Sequence, residues 1–303
     1  VTPDEIFDKK IKTLLAAEKK MRGGVASYQR QLMELIAVEY LPLFDVKDGV
    51  VTNSAKNQRL VNSIDNIFNN LTKTLNADVL SVFAQGLIDG SKLDAQYYRG
   101  LGFKKSVVNG VIKNKVNIEA TLGVTPKGRL RKTGYLFRLG ETAQVRNELK
   151  QYVLNSLINS DTSFLDFQLG FRNLVIGNKR VKGKATKGSL QRYFDQFAYD
   201  QFNNIDAANN KQIATNLGLE YFIYGGSLID TSRKFCEKRA GRAFKISDAK
   251  TWRNDVDLID QKTKDAYKPL IERGRYRCRH WTKYTTKVVY LDYQKRGLTG
   301  LAA

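Results

Sequence analysis

Apolar residues recur at three- and four-residue intervals through the first hundred positions, the period of amphipathic helices. Thr2-Pro3-Asp4-Glu5 predicts a helix start, with a capping hydroxyl, a proline where its missing N–H costs nothing, and an acid placed to close a capping box. That helix is expected to run to about Met21 on a stripe of Phe7, Ile11, Leu14 and Leu15. Gly23-Gly24 then reads as its end, followed by a second helix carrying Val25, Tyr28, Leu32, Leu35 and Ile36, so the two would form a helical hairpin. Leu41-Pro42 is a break, and the polar stretch from Asp45 to Asn53 leads to a third helix with Leu60, Ile64, Ile67, Phe68 and Leu71 on one side. A fourth is expected from about Ala77 to Leu87. Such stripes serve core packing within the chain or against a neighbouring subunit.

From Gly100 to Gly140 the pattern loosens, and Val107 to Ile118 mixes short β-branched runs with lysines. Thr125 to Gly134 reads as a basic, turn-rich loop carrying Lys127, Arg129, Arg131 and Lys132. Helical patterns return over Glu141–Ile158 and Ser163–Val175, and a long helix is expected from about Leu190 to Leu217. Between Asp166 and Asp195 there is no acidic residue, while Arg172, Lys179, Arg180, Lys182, Lys184, Lys187 and Arg192 are present, and Gly177, Gly183 and Gly188 point to a flexible loop. Leu219–Tyr224 and Lys287–Tyr293 have the alternation of short strands. The expected fold is mainly α, with a helical assembly region over residues 1–100, a helical middle region with basic loops over 101–186 and a small α+β domain over 187–303.

Composition narrows the partners. Fifty-one Lys and Arg against 30 Asp and Glu give a formal charge of +21 in 303 residues, which favours a polyanion such as DNA, RNA or an acidic protein face. The two basic loops are the candidate nucleic-acid contacts, free to follow a phosphate backbone. No run approaches the roughly 20 apolar residues of a membrane span. The start of the numbering carries no charged-then-apolar leader, so synthesis in the cytoplasm is expected.

The segment from Tyr224 to Trp281 holds both cysteines, the only histidine and both tryptophans. Scarce residue types gathered this way belong to one local structure. Cys278 and His280 are two apart, so on an extended segment they share a face, and Cys236 could close on them from a neighbouring turn. The three could pack as core residues, hold zinc with Asp230 or Asp257 as a fourth ligand, form a Cys236–Cys278 disulfide, or act as a Cys–His nucleophile beside Arg277 and Arg279. Structural zinc sites usually pair their cysteines as Cys-x-x-Cys, which is missing here, and a disulfide is disfavoured in a reducing compartment. The expected cofactor is therefore none, with zinc as the alternative. Asp255, Asp257 and Asp260 read as a solvated turn.

Two enzyme signatures fail on inspection. Gly177 and Gly183-Lys184 resemble a phosphate loop, but five residues separate the glycines where four are required, and Ala185 replaces the metal-binding hydroxyl. No Ser-His-Asp order or His-Glu-x-x-His is present.

The order Asp230-x-x-Arg233-x-x-Cys236, then Gly241, a spacer containing Trp252, and finally Arg277-Cys278-Arg279-His280-Trp281 resembles the C-terminal domain of the phage Mu F-like minor head proteins, also called head morphogenesis proteins. The resemblance covers about residues 187–290, including the long helix before the motif. His280 stands where that family often has a second closing cysteine. The resemblance implies a non-enzymatic minor capsid protein of a tailed bacteriophage, found in the virion and, during assembly, in the host cytoplasm. It further implies a ring at the portal vertex, contact with portal or major capsid protein and with packaged double-stranded DNA, and a role in head morphogenesis and DNA packaging or ejection. A nucleic-acid-processing enzyme using Cys278, His280 and Asp230 is the alternative, and a DNA-binding protein outside the virion is a third. Arg233, with planar donors able to bridge Asp230 or backbone carbonyls, is the motif residue with the clearest structural role.

Overall fold

The computed structural model describes all residues except 114–117, 126–128, 160, 179–184, 260 and 303. The fold is mainly α with a small sheet near the C-terminus, as the pattern predicts. In chain order it comprises α1 (Pro3–Leu35), the short strands β1 (Val46–Lys47) and β2 (Val50–Val51), α2 (Ala55–Thr74), α3 (Ser81–Gly100), α4 (Lys105–Lys113), α5 (Ile118–Leu122), α6 (Tyr135–Gly140), α7 (Ala143–Ile158), α8 (Phe164–Ile176) and α9 (Ser189–Asn216). The remainder is β3 (Tyr221–Gly225), α10 (Lys234–Glu237), β4 (Arg242–Lys245), α11 (Pro269–Glu272), β5 (Trp281–Thr285) and α12 (Lys287–Lys295).

The expected capping box closes α1, with Thr2 N donating to Glu5 Oε2 at 2.7 Å and Glu5 N to Thr2 Oγ1 at 3.2 Å. Gly23-Gly24 does not end that helix. α1 continues unbroken to Leu35, so there is no hairpin at this point. The reason is packing: a Cβ on Gly24 would stand 2.8 Å from a Val79 methyl, so this glycine permits a close approach and tertiary contact holds the helix through it. The break at Leu41-Pro42 is real, with a π turn over Ile36–Tyr40 and a 3-10 turn over Leu41–Leu43. The expected fourth helix is longer than its pattern, since a π turn over Leu75–Leu80 joins α2 to α3 and α3 runs to Gly100.

The β-branched run that begins at Val107 is helical too, inside α4, and the strand expected over Lys287–Tyr293 is α12 instead. There Thr286 is extended and the helix packs on β3 and β4, with the Tyr290 ring 4.6 Å from that of Tyr221. β-Propensity depends on context, and here Val288 is exposed and Val289 half-buried on a helix that has no fully buried residue.

The chain divides into two compact units that are not consecutive segments. One comprises Val1–Leu15, Gly86–Ile118 and Tyr199–Ala303, the other Ala16–Gln85 and Glu119–Ala198. This differs from boundaries near residues 100 and 187. α1, α3, α5 and α9 each contribute to both units, and a boundary inside a continuous helix leaves no shift in composition to read.

The first unit is built on an antiparallel sheet in the order β4-β3-β5. Phe222 pairs with Phe244 on one side and Tyr284 on the other, and Tyr224 pairs with Arg242 and Thr282. Phe222 and Tyr224 are two apart and share a face, and the Trp252 ring stands edge-on to both at 5.7 and 5.6 Å. Phe235, Tyr97, Tyr98 and Phe7 complete this core. The second unit is helical, with the β1–β2 hairpin against the start of α8 and a cluster of Tyr40, Phe44, Tyr152, Phe167 and Phe171. Val25, Tyr28, Leu32, Ile64 and Phe68 are buried there, so those stripes serve core packing inside the chain.

Candidate functional site

The two halves of the Tyr224–Trp281 motif meet beneath β3. α10 carries Cys236, and the segment entering β5 carries Cys278 and His280. Cys236 Sγ lies 3.9 Å from Cys278 Sγ, and Cys278 Sγ lies 3.7 Å from His280 Nδ1, so Cys278 and His280 do face the same way. One donor atom from each residue falls within a 4.8 Å span, and all three side chains are buried. With their sulfurs 3.9 Å apart, the two cysteines are not joined in a disulfide.

Residues that spacing alone did not single out shape the cluster. Tyr224 Oη lies 3.4 Å from Cys236 Sγ and 3.6 Å from Cys278 Sγ, and its ring stacks on the His280 imidazole with centroids 5.2 Å apart. A Cβ on Gly274 would stand 2.6 Å from Cys236 Sγ, and one on Gly226, at φ +120°, would stand 3.0 Å from His280 Cα. Two glycines therefore form walls that no other residue could. The signal was present, since both occur inside the motif, but a glycine's function is invisible until its neighbours are placed.

Cys278 is delivered by a segment with unusual backbone. Arg273, Arg275 and Arg277 all have positive φ, at 52°, 59° and 54°, each at a cost of order 1–3 kcal/mol for a non-glycine residue. The backbone N–H of Arg277 donates to Asp200 Oδ1 at 2.7 Å, which ties the segment to α9. Arg233 spans it, Nη1 donating to Gly274 O at 3.1 Å and Nη2 to Tyr276 O at 2.5 Å. Of its two expected partners, the backbone carbonyls are thus the ones engaged.

The thiol pair divides its proton unequally. A hydrogen bond from Cys236 holds Cys278 well below the usual thiol range against the opposing effect of burial, with His280 and Arg273 assisting. The same hydrogen bond, together with burial, pushes Cys236 up. Tyr224 is pushed up by burial and stays a phenol that can donate to sulfur. His280 Nε2 is buried without a hydrogen-bond partner.

The other motif residues are dispersed. Asp230 and Arg279 are exposed. Gly241 takes φ +75° and donates its N–H to Tyr224 O at 2.8 Å, and Trp281 lies over Gly225, whose Cβ would fall 1.9 Å from the indole ring. Trp252 is core and supports a buried guanidinium: Arg239 lies 4.6 Å over its ring and 3.8 Å over Phe235, and donates to Asp255 Oδ2 at 2.6 Å. Asp257 pairs with Lys238 at 2.5 Å. Asp255 and Asp257 are therefore ion-pair anchors where a solvated turn was expected. A cavity of about 350 Å³ opens beside the cluster, lined by Ser227, Ser232, Arg233, Arg277, Cys278 and His280 among others.

Of the candidate nucleic-acid residues, Lys127, Lys179, Arg180, Lys182 and Lys184 lie outside the described residues. Arg129, Arg131 and Lys132 are exposed on a turn closed by a Val124–Leu130 bridge, where Gly123 and Gly134 approach so closely that neither could carry a Cβ. Arg129 and Lys132 also line a cavity of about 530 Å³ with Arg146 and Asn76. Lys187 and Arg192 were read as unopposed cations, but Lys187 pairs with Asp195 and Arg192 with Glu148. The base of their loop is pinned as well, Thr186 N donating to Asn178 O at 3.1 Å.

No helix among the described residues is long and apolar enough to cross a membrane. Comparisons of the chain with protein-family models, curated proteins and solved structures gave no match.

Proposed function

We propose that this chain is a structural, non-catalytic component of a tailed-phage head, placed at the portal vertex beside packaged DNA. The observation that carries this reading is the convergence of the motif: Cys236, from its first half, and Cys278 and His280, from its second, meet in one buried cluster. The resemblance to Mu F-like proteins rests on the same residues in the same order. Charge supports the assignment, since +21 suits a protein close to a polyanion.

In this reading the basic turns contact DNA phosphates without reading sequence, and the cluster fixes the C-terminal fold. Protein contacts fall to exposed apolar residues. Leu154 and Ile158 on α7, and Leu165 and Leu169 on α8, are exposed pairs at i,i+4 on two helices that pack together. A portal or capsid subunit would cover them.

The test is mass spectrometry of gradient-purified virions from the phage or prophage whose genome encodes this sequence. Peptides of the chain at a fixed ratio to portal protein are expected. Their absence from both virions and procapsids would overturn the proposal.

A further inference from the structure

We propose that Cys236, Cys278 and His280 bind one zinc ion, with an oxygen as the fourth ligand. Zinc–sulfur bonds of about 2.3 Å and zinc–nitrogen bonds of about 2.05 Å give a regular tetrahedron with sulfur–sulfur edges of about 3.8 Å and sulfur–nitrogen edges of about 3.6 Å. The chain holds the two edges that meet at Cys278 Sγ at 3.9 and 3.7 Å, and all three donor atoms within 4.8 Å of one another, so the Cys236–His280 edge closes by a small movement when the ion binds. A disulfide would need its sulfurs roughly 2.0 Å apart.

The surroundings favour an ion over packing alone. Two thiols, an imidazole and the Tyr224 phenol are gathered in a core that also holds Phe222, Phe235 and Trp252, where polar groups without full partners are costly. Gly274 keeps the space beside the two sulfurs free of a side chain, since a Cβ there would stand 2.6 Å from Cys236 Sγ and 3.1 Å from Cys278 Sγ. A hydrophobic core of this size would fill such positions with carbon.

The fourth corner is an oxygen position. Tyr224 Oη stands 3.4 and 3.6 Å from the two sulfurs, close to the sulfur–oxygen edge of about 3.6 Å that the same tetrahedron requires. The donor is either this hydroxyl or a water admitted from the adjoining cavity and hydrogen-bonded to it. Asp230 is exposed and Asp257 is paired with Lys238, so neither carboxylate takes the place.

Metal content is measured on the isolated full-length chain, which separates this inference from the question of virion membership. Protein purified without chelator should carry one equivalent of zinc by plasma mass spectrometry. After zinc removal, cobalt(II) titration should give a thiolate-to-metal charge-transfer band and the visible bands of a tetrahedral site. Cys278→Ser and His280→Gln should weaken cobalt binding by more than the roughly 10–100-fold lost with an outer-shell partner, whereas Asp230→Ala should bind like the wild type. Tyr224→Phe distinguishes the oxygen sources: altered visible bands identify the phenol, unaltered bands the water. Wild-type protein that is folded by circular dichroism yet carries no zinc and gives no cobalt bands would overturn the proposal, and that result does not depend on whether any variant folds.

Discussion

Lys10 and Asp94 form a fully buried ion pair, Nζ to Oδ1 at 2.7 Å, joining α1 to α3. Asp206 on α9 forms a second ion pair with the same ammonium, Nζ to Oδ1 at 2.9 Å. Burial alone would depress the lysine, but Asp206 and Asp94 reverse that and hold its pKa above the usual range. One cation thus fastens three helices of the first unit.

Removing that cation leaves carboxylates in the interior without a counter-charge. Lys10→Ala should destabilise the protein by about 3–5 kcal/mol, read as a lower urea midpoint at unchanged slope. Because the folded pKa is raised, the ammonium's contribution is fully present below the unfolded value of about 10.4 and fades only as pH climbs through the folded one. Stability measured between pH 7 and 9 should therefore show no dependence attributable to Lys10. A Lys10→Ala protein as stable as the wild type would remove the pair from the account.

Arg239 lies between Phe235 and Trp252 and pairs with Asp255, so it needs a planar, permanently charged group. Arg239→Lys should lose about 1–3 kcal/mol, and Arg239→Ala more, accompanied by a change in tryptophan emission. Asp255 is shifted down: burial opposes the shift, but the Asp257 N–H and the Arg239 guanidinium outweigh it. A carboxylate so shifted stabilises the fold above its unfolded pKa of about 3.9, and this is lost as pH falls through the folded value. Asp255→Asn should therefore flatten the acid limb of the stability profile.

Gly23 and Gly24 are adjacent in α1 but should respond oppositely to alanine. Nothing lies within 4 Å of a Cβ at Gly23, so Gly23→Ala should stabilise by about 0.5–1 kcal/mol through helix propensity. At Gly24 the new methyl meets Val79, and overpacking of about 1–3 kcal/mol should exceed that gain. Thermal unfolding of the two variants checks the pair, and equal shifts of the same sign would contradict the close contact.

If the chain contacts DNA through its basic turns, the logarithm of the affinity should fall linearly with the logarithm of salt concentration. The slope should drop by about 0.9 for every phosphate contact removed. Replacing Arg129, Arg131 and Lys132 with Ala, or Lys179, Arg180, Lys182 and Lys184 together, should flatten it. Lys187→Ala and Arg192→Ala should matter less, because Asp195 and Glu148 already neutralise those cations. Fluorescence anisotropy on a random duplex across a salt series makes the comparison, and an unchanged slope in both multiple variants would assign the turns another role.

What the sequence determined by itself was local. The capping box at Thr2 and Glu5, the break at Pro42, the starts of α7 to α9 and strand β3 all depend on neighbours within a few residues, and they stand where the pattern put them. Its scarce residues also announced that Cys236, Cys278 and His280 belong together. Tertiary structure decided what the local code leaves open. Packing against Val79 accompanies the passage of α1 through Gly24, and Val288-Val289 is helical although its alternation reads as strand. The units divide inside α1, α3, α5 and α9, where a continuous helix marks no boundary in the sequence. Tyr224, Gly226 and Gly274 became site residues only once the sheet had brought the two halves of the motif together, because a role defined by contact between residues dozens of positions apart has no local signature.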